Sequence, residues 1–142
     1  MKKNLSISFF SLILFFAFSC SEVLNKYPNI SGKWRINITT TSSTCPAWLV
    51  PNTYSMIFTI TQEEDYITAV SDENFTYEGT IDNNGNFTLK VLYDYEGYHY
   101  EVSLEGKVND DSFSGTGYTK INGDLVSCEA KFTFTGIKLE DL

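Results

Sequence analysis

From residue 32 to the C-terminus the chain alternates apolar and polar side chains with a period of two, and the alternating segments are separated by very short connections. In "GKWRINITT" Trp34, Ile36 and Ile38 fall on one face and Lys33, Arg35 and Asn37 on the other. "YSMIFTIT" groups Met56, Phe58 and Ile60, and a shorter segment follows at 66–71. "NFTYEGTI" aligns Phe75, Tyr77, Gly79 and Ile81, and "NFTLKVLYDY" aligns Phe87, Leu89, Val91, Tyr93 and Tyr95. "YHYEVSLEGKV" aligns Tyr100, Val102 and Leu104, "SFSGTGYT" is rich in glycine, and "CEAKFTFTGIKL" carries Phe132 and Phe134. Alternation of this kind, rich in Thr, Tyr, Phe, Ile and Val, marks half-buried strands. No segment beyond Cys20 carries an apolar period of 3.6.

The connections have turn chemistry. Asn84-Gly85 and Asn122-Gly123 supply the pair that favours a type I′ hairpin, and Glu96-Gly97 and Asn109–Asp111 are also turn-like. About eight strands joined by tight hairpins describe an all-β, antiparallel up-and-down sheet. A meander of that size leaves two open edges, and closing it into an eight-stranded barrel removes both. Gly79, Gly106, Gly115, Gly117 and Gly136 suit the bends that closure needs. A two-sheet sandwich is the alternative, but it calls for long crossovers that this chain lacks.

The first residues follow different rules. Met1, Lys2 and Lys3 form a positively charged start, and an apolar stretch runs from Leu5 to Phe18, broken only by serines. It is shorter than the roughly 20 residues of a membrane-spanning helix, and it ends at Ser19-Cys20. The segment resembles a bacterial lipoprotein signal peptide, although Ala17 and Phe18 stand where Leu and a small residue are usual. The resemblance implies a signal peptide over 1–19, a lipidated tether over 20–31 that starts at Cys20, and a barrel over 32–142. It also implies export and a lipid anchor in a bacterial envelope membrane, with the outer membrane expected. An ordinary secretory peptide that leaves Cys20 free or paired is the other reading.

Loss of 1–19 would leave 18 acidic against 8 basic residues, a net charge of −10. Such a charge argues against nucleic acid and against electrostatic attachment to anionic lipid. The two later cysteines make an even set in an exported chain. Barrel closure makes the first and last strands antiparallel neighbours. Cys45, just past the first strand, and Cys128, at the start of the last, then share one rim and are expected to pair.

At "SGKWRI" the chain resembles a lipocalin-type barrel, whose first strand opens with Gly-x-Trp, here Gly32 and Trp34. Avidin-like and small lipoprotein-inhibitor barrels remain comparable. The resemblance implies a structural Trp34 at the closed end of the barrel and a ligand mouth at the opposite end. The long first loop, "TSSTCPAWLVPN", would frame that mouth with Trp48. "LYDYEGYHY" would bring Tyr93, Tyr95, Tyr98, His99 and Tyr100 to the same rim. Tyrosine suits a wet binding surface, although cross-strand pairing alone also explains such a cluster.

Catalytic and metal chemistry find little support. His99 is the only histidine, no nucleophile motif accompanies it, and a zinc site needs more ligands of its kind. Glu63–Asp65 and Asp110–Asp111 read as solvated turn charges without calcium-loop spacing. No catalytic residue, metal or cofactor is therefore expected. Two functions remain: a membrane-tethered barrel that binds a small apolar or amphipathic ligand, or a protein-interaction or inhibitor barrel that uses its rim loops over a filled interior. Interior volume discriminates them, and the bulky inward residues favour a small pocket or none.

Overall fold

The structure, a computed structural model, describes residues 26–142. Eight antiparallel strands follow one another around a closed barrel: β1 (Gly32–Ser43), β2 (Thr53–Glu63), β3 (Tyr66–Ser71), β4 (Thr76–Ile81), β5 (Asn86–Tyr95), β6 (Tyr98–Asn109), β7 (Ser112–Asn122) and β8 (Ser127–Glu140). β8 returns to pair with β1 from Lys33↔Glu140 to Ser43↔Ala130, so neither end strand keeps an open edge.

The alternation decides which side chains point inward. Trp34, Ile36 and Ile38 of β1, Met56, Phe58 and Ile60 of β2, and Phe87, Leu89 and Val91 of β5 are all buried. The residues between them face solvent or are half-buried. A shift of one residue in any of these strands would turn its apolar set outward, so the register is strongly fixed.

The turns differ in one respect from the sequence expectation. Neither Asn-Gly pair forms a two-residue turn: Asn84-Gly85 lies within a four-residue connection, and Asn122 ends β7 while Gly123 opens a second four-residue connection. In the connection from β4 to β5 the Asp82 carboxylate accepts hydrogen bonds from the backbone N–H groups of Asn84 and Asn86 and from the Asn86 side chain, each at 2.9 Å. That local capping favours a wider turn. The two-residue turn with positive φ at both positions is Glu96-Gly97, with φ of 49° and 82°. These are the signs of a type I′ hairpin.

The lower half of the barrel is packed solid. Trp34 and Phe113 lie 4.6 Å apart between ring centroids, Phe87 and Phe113 5.3 Å, and Phe113 and Phe134 6.0 Å. So many large rings fit a narrow barrel because glycines face them. A Cβ at Gly106 would lie 2.6 Å from the Phe87 ring, and one at Gly117 would lie 2.5 Å from the Phe132 ring. The alternation of large and small side chains inside a tapering barrel explains both composition signals.

Residues just before β1 close the bottom. Ile30 is fully buried in the core and Tyr27 packs against it, so the last part of the expected tether is part of the barrel's packing. Ile30 N–H donates to Gln62 Oε1 at 2.9 Å, and the buried Trp34 Nε1–H donates to the Ile30 carbonyl at 2.9 Å. Gly32 supplies the entry angle. Its φ is 147°, and a Cβ there would lie 2.7 Å from the Glu140 carbonyl oxygen, so only glycine fits without strain. Cys20 and the apolar leader lie outside the described residues.

Candidate functional site

The packing that fills the lower half does not continue upward. Inward positions near the top of the strands carry tyrosines and threonines, and between them lies a cavity of about 320 Å³. That is at the lower end of the roughly 300–1,000 Å³ typical of small-molecule sites. Ile38, Met56, Val102 and Phe132 give it an apolar base. Tyr54 of β2, Tyr77 of β4, Tyr93 of β5 and Tyr100 of β6 form aromatic walls, with Phe75 between β3 and β4.

The walls are organised in pairs. Tyr93 and Tyr100 stand opposite each other in the β5–β6 ladder and stack in parallel, with centroids 4.7 Å apart and planes 4° apart. Phe75 packs on the other side of Tyr93 at 4.2 Å. Tyr77 packs on Phe58 at 4.9 Å, which ties the walls to the filled half below.

The four hydroxyls have no protein hydrogen-bond partner among the described residues, and no buried side-chain polar atom there is left without one. They therefore open onto accessible space within the cavity, with donor and acceptor capacity unused. Burial pushes the Tyr54 hydroxyl up to about 12, with the Glu73 carboxylate adding to the shift. Burial raises Tyr77 and Tyr93 further, and neighbouring tyrosines and Glu73 add to the effect. Tyr100 is raised mainly by burial. All four are neutral phenols at physiological pH, able both to donate and to accept.

A loop covers the opening. Residues 44–52, between β1 and β2, lay Leu49, Val50 and Pro51 against the cavity. A disulfide between Cys45 and Cys128 fixes the start of the loop to β8. Thr44 N–H and Oγ1 both donate to the Glu129 carbonyl beside it. At the other end Thr40 donates from its N–H to the Asn52 carbonyl and from Oγ1 to the Pro51 carbonyl, each at 2.8 Å. The cysteine pairing expected from closure is thus present, and it anchors a lid as well as a seam.

The residues named from sequence divide into three groups. Tyr93 and Tyr100 line the cavity. Trp48 and Tyr98 meet edge to face on the outer rim at 6.2 Å, where Trp48 is 69% exposed and Tyr95 is 55% exposed. His99 faces away from the mouth, on the outer wall, where its Nδ1 pairs with Asp94 Oδ1 at 2.6 Å. Sequence reasoning missed Tyr54, Tyr77 as a wall of the site, Glu73 and Thr119. Tyr54 was visible in principle, since it shares the inward parity of Met56 and Phe58 at the top of its strand. Glu73 lies in a turn and gave no such signal.

Among the described residues no three His, Cys, Asp or Glu side chains converge. No protein-family model matches the chain, and a search of curated proteins finds no match.

Proposed function

We propose that this protein is a membrane-tethered barrel that binds a small amphipathic ligand in its upper cavity and does no chemistry on it. The observation that carries the reading is the lidded cavity with four unpaired phenol hydroxyls on otherwise apolar walls. Such a site offers burial to a hydrocarbon portion and hydrogen bonds to a polar one. Its size restricts the ligand to a small one.

The test is native mass spectrometry of the protein purified without its lipid, compared with Val102→Phe. Val102 is nearly buried at the cavity base. A phenyl ring there would occupy the ligand's space while burying more apolar surface, so the fold should tolerate it. The expected outcome is a co-purifying small molecule on the natural protein and at least a tenfold loss in the variant. Equal loading of both would place the ligand elsewhere.

One observation favours a second reading. Trp48 and the 96%-exposed Leu125 on upper loops, and Tyr95 at the end of β5, leave apolar tips on the upper rim. Exposed aromatics of this kind anchor protein partners. A partner held there would be lost in Trp48→Ala and indifferent to Val102→Phe, the opposite of the pattern expected for a cavity ligand.

The proposed anchor would also orient the barrel. The segment leading back to Cys20 leaves from the closed end, opposite the lid. With Tyr27 and Ile30 packed into the barrel, the six residues 21–26 could span at most about 20 Å between a lipid on Cys20 and the closed end. A lipid on Cys20 would hold the closed end near the bilayer and turn the cavity outward. Cys20→Ser should move the protein from the membrane fraction to the soluble fraction and abolish acyl labelling. Labelling that survives the substitution would refute the anchor.

A further inference from the structure

The cavity has no cationic side chain among the described residues that line it, and Glu73 is the one that carries charge. Glu73 lies in the connection between β3 and β4, at the mouth, and has no salt-bridge partner among the described residues. Glu73 lines the same cavity as Tyr54, Tyr77 and Tyr93, and its negative charge adds to the upward shift that burial gives each of these phenols. Tyr93 is covered on both sides, but Tyr54 stacks on no other ring among the described residues, and the negative quadrupole of an uncovered ring face attracts cations. The chain as a whole carries a net charge of −8, which adds a long-range field of the same sign. The lone histidine does not offset this, since it sits on the outer wall against Asp94.

These features all select the same sign of ligand. We infer that the upper cavity takes a small organic cation, an ammonium attached to an apolar or aromatic body, with the charge held between Glu73 and the tyrosine faces and the body against Met56, Val102 and Phe132. An anion of the same shape would meet Glu73 and the ring faces with no compensating positive group. A neutral analogue would keep the burial and the phenol hydrogen bonds but gain nothing from the charge. The assignment rests on the reading of the cavity as a ligand site and adds the ligand's chemical class.

Three probes of nearly equal size separate the two levels. They are 2-phenylethylammonium, 2-phenylethanol and 3-phenylpropionate, titrated into the full barrel domain at neutral pH and followed by two-dimensional NMR. The expected order of affinity is cation, neutral, anion, with at least a tenfold gap between the first two. Glu73→Gln should bring the cation close to the alcohol and leave the alcohol unchanged. Raising sodium chloride from about 20 to 500 mM should weaken the cation alone, since mouth charges are screened over that range. Glu73 lies on an exposed turn, and an unchanged melting temperature would show that the variant is folded. As a second variant, Tyr54→Leu should weaken the cation more than the alcohol, because Tyr54 lines the cavity and stacks on no other ring among the described residues.

The outcomes divide cleanly. Equal binding of all three probes, or a preference for the anion, overturns the cation assignment while the cavity stands as a binding site. A cation preference that survives Glu73→Gln and Tyr54→Leu also overturns it, because the selectivity would then arise elsewhere. Failure of all three probes to shift any cavity resonance removes the binding reading and this inference together.

Discussion

Trp34→Ala should lower the free energy of unfolding by about 3–5 kcal/mol, the range for deleting a fully buried large aromatic. Three contacts set that size. The indole packs against Phe113 at 4.6 Å, the Lys138 ammonium lies 5.7 Å from its ring, and Nε1–H holds the Ile30 carbonyl at 2.9 Å. Alanine would leave a void among the packed rings of the lower half and would strip the Ile30 carbonyl of its buried donor. Trp34→Phe should recover most of the packing but not the hydrogen bond, for a smaller loss of about 1–3 kcal/mol. Urea denaturation reads both. Because Ile30 loses its partner in either variant, proteolysis near residues 26–31 should quicken in both, by similar factors. An alanine loss below about 1 kcal/mol would mean that the lower half is not the packed plug described above.

Much of this arrangement could be read before any coordinates, because a period of two leaves few choices. Once Trp34, Phe58, Leu89 and Phe134 are placed inward, their strands have a fixed face. Short turns then dictate antiparallel order, and eight strands in that order have one simple way to lose their edges. Cysteine placement followed from that closure. The filling of the barrel was harder to read. Counting Phe and Trp on inward positions gave a crowded interior, yet Gly106 and Gly117 on the facing strands take up the Phe87 and Phe132 rings. Volume is shared across neighbouring strands, and a single-strand reading does not see the sharing.

The site was legible only in part, for a related reason. Tyr93 and Tyr100 stand in one dense aromatic cluster, and two-residue pairing across the β5–β6 hairpin makes them neighbours. Tyr54 and Tyr77 reach the same cavity from strands far away in sequence, through inward parity and height along the barrel. Height depends on strand tilt and register, which no local pattern encodes. His99 shows the converse. It is adjacent to Tyr98 and Tyr100 in sequence, and that adjacency places it on the opposite face of the strand. Ile30 and Tyr27 lie before the first alternating segment and so looked like part of a tether. Their burial comes from the open lower end of the barrel, which an apolar residue at that point can close.

Removing the disulfide, as Cys45→Ala with Cys128→Ala, should have two separable effects. The first is on the unfolded chain. The two cysteines are 83 residues apart, and closing a loop of that length restricts the unfolded ensemble by about 4–5 kcal/mol in the chain-entropy treatment. The β1–β8 ladder still joins Lys33 through Ser43 to β8, so the barrel should remain closed at 25 °C and melt at a lower temperature. The second effect is on the lid. Without the covalent anchor, the start of the 44–52 loop is held to β8 by Thr44 and Glu129 alone, through bonds exposed to water. Thr40 continues to hold the far end at Pro51 and Asn52. A lid fastened at one end orders Leu49 and Val50 less well over the cavity, and a ligand must then supply that ordering itself. Affinity for 2-phenylethylammonium should fall by about tenfold, with faster release accounting for most of the change. Thermal unfolding and an NMR titration below the melting range measure the two effects independently. A fall in stability with unchanged affinity would leave the disulfide as a seam staple and remove the loop from the binding site. Unchanged stability would instead mean that the β1–β8 ladder already restricts the chain wherever the crosslink would act.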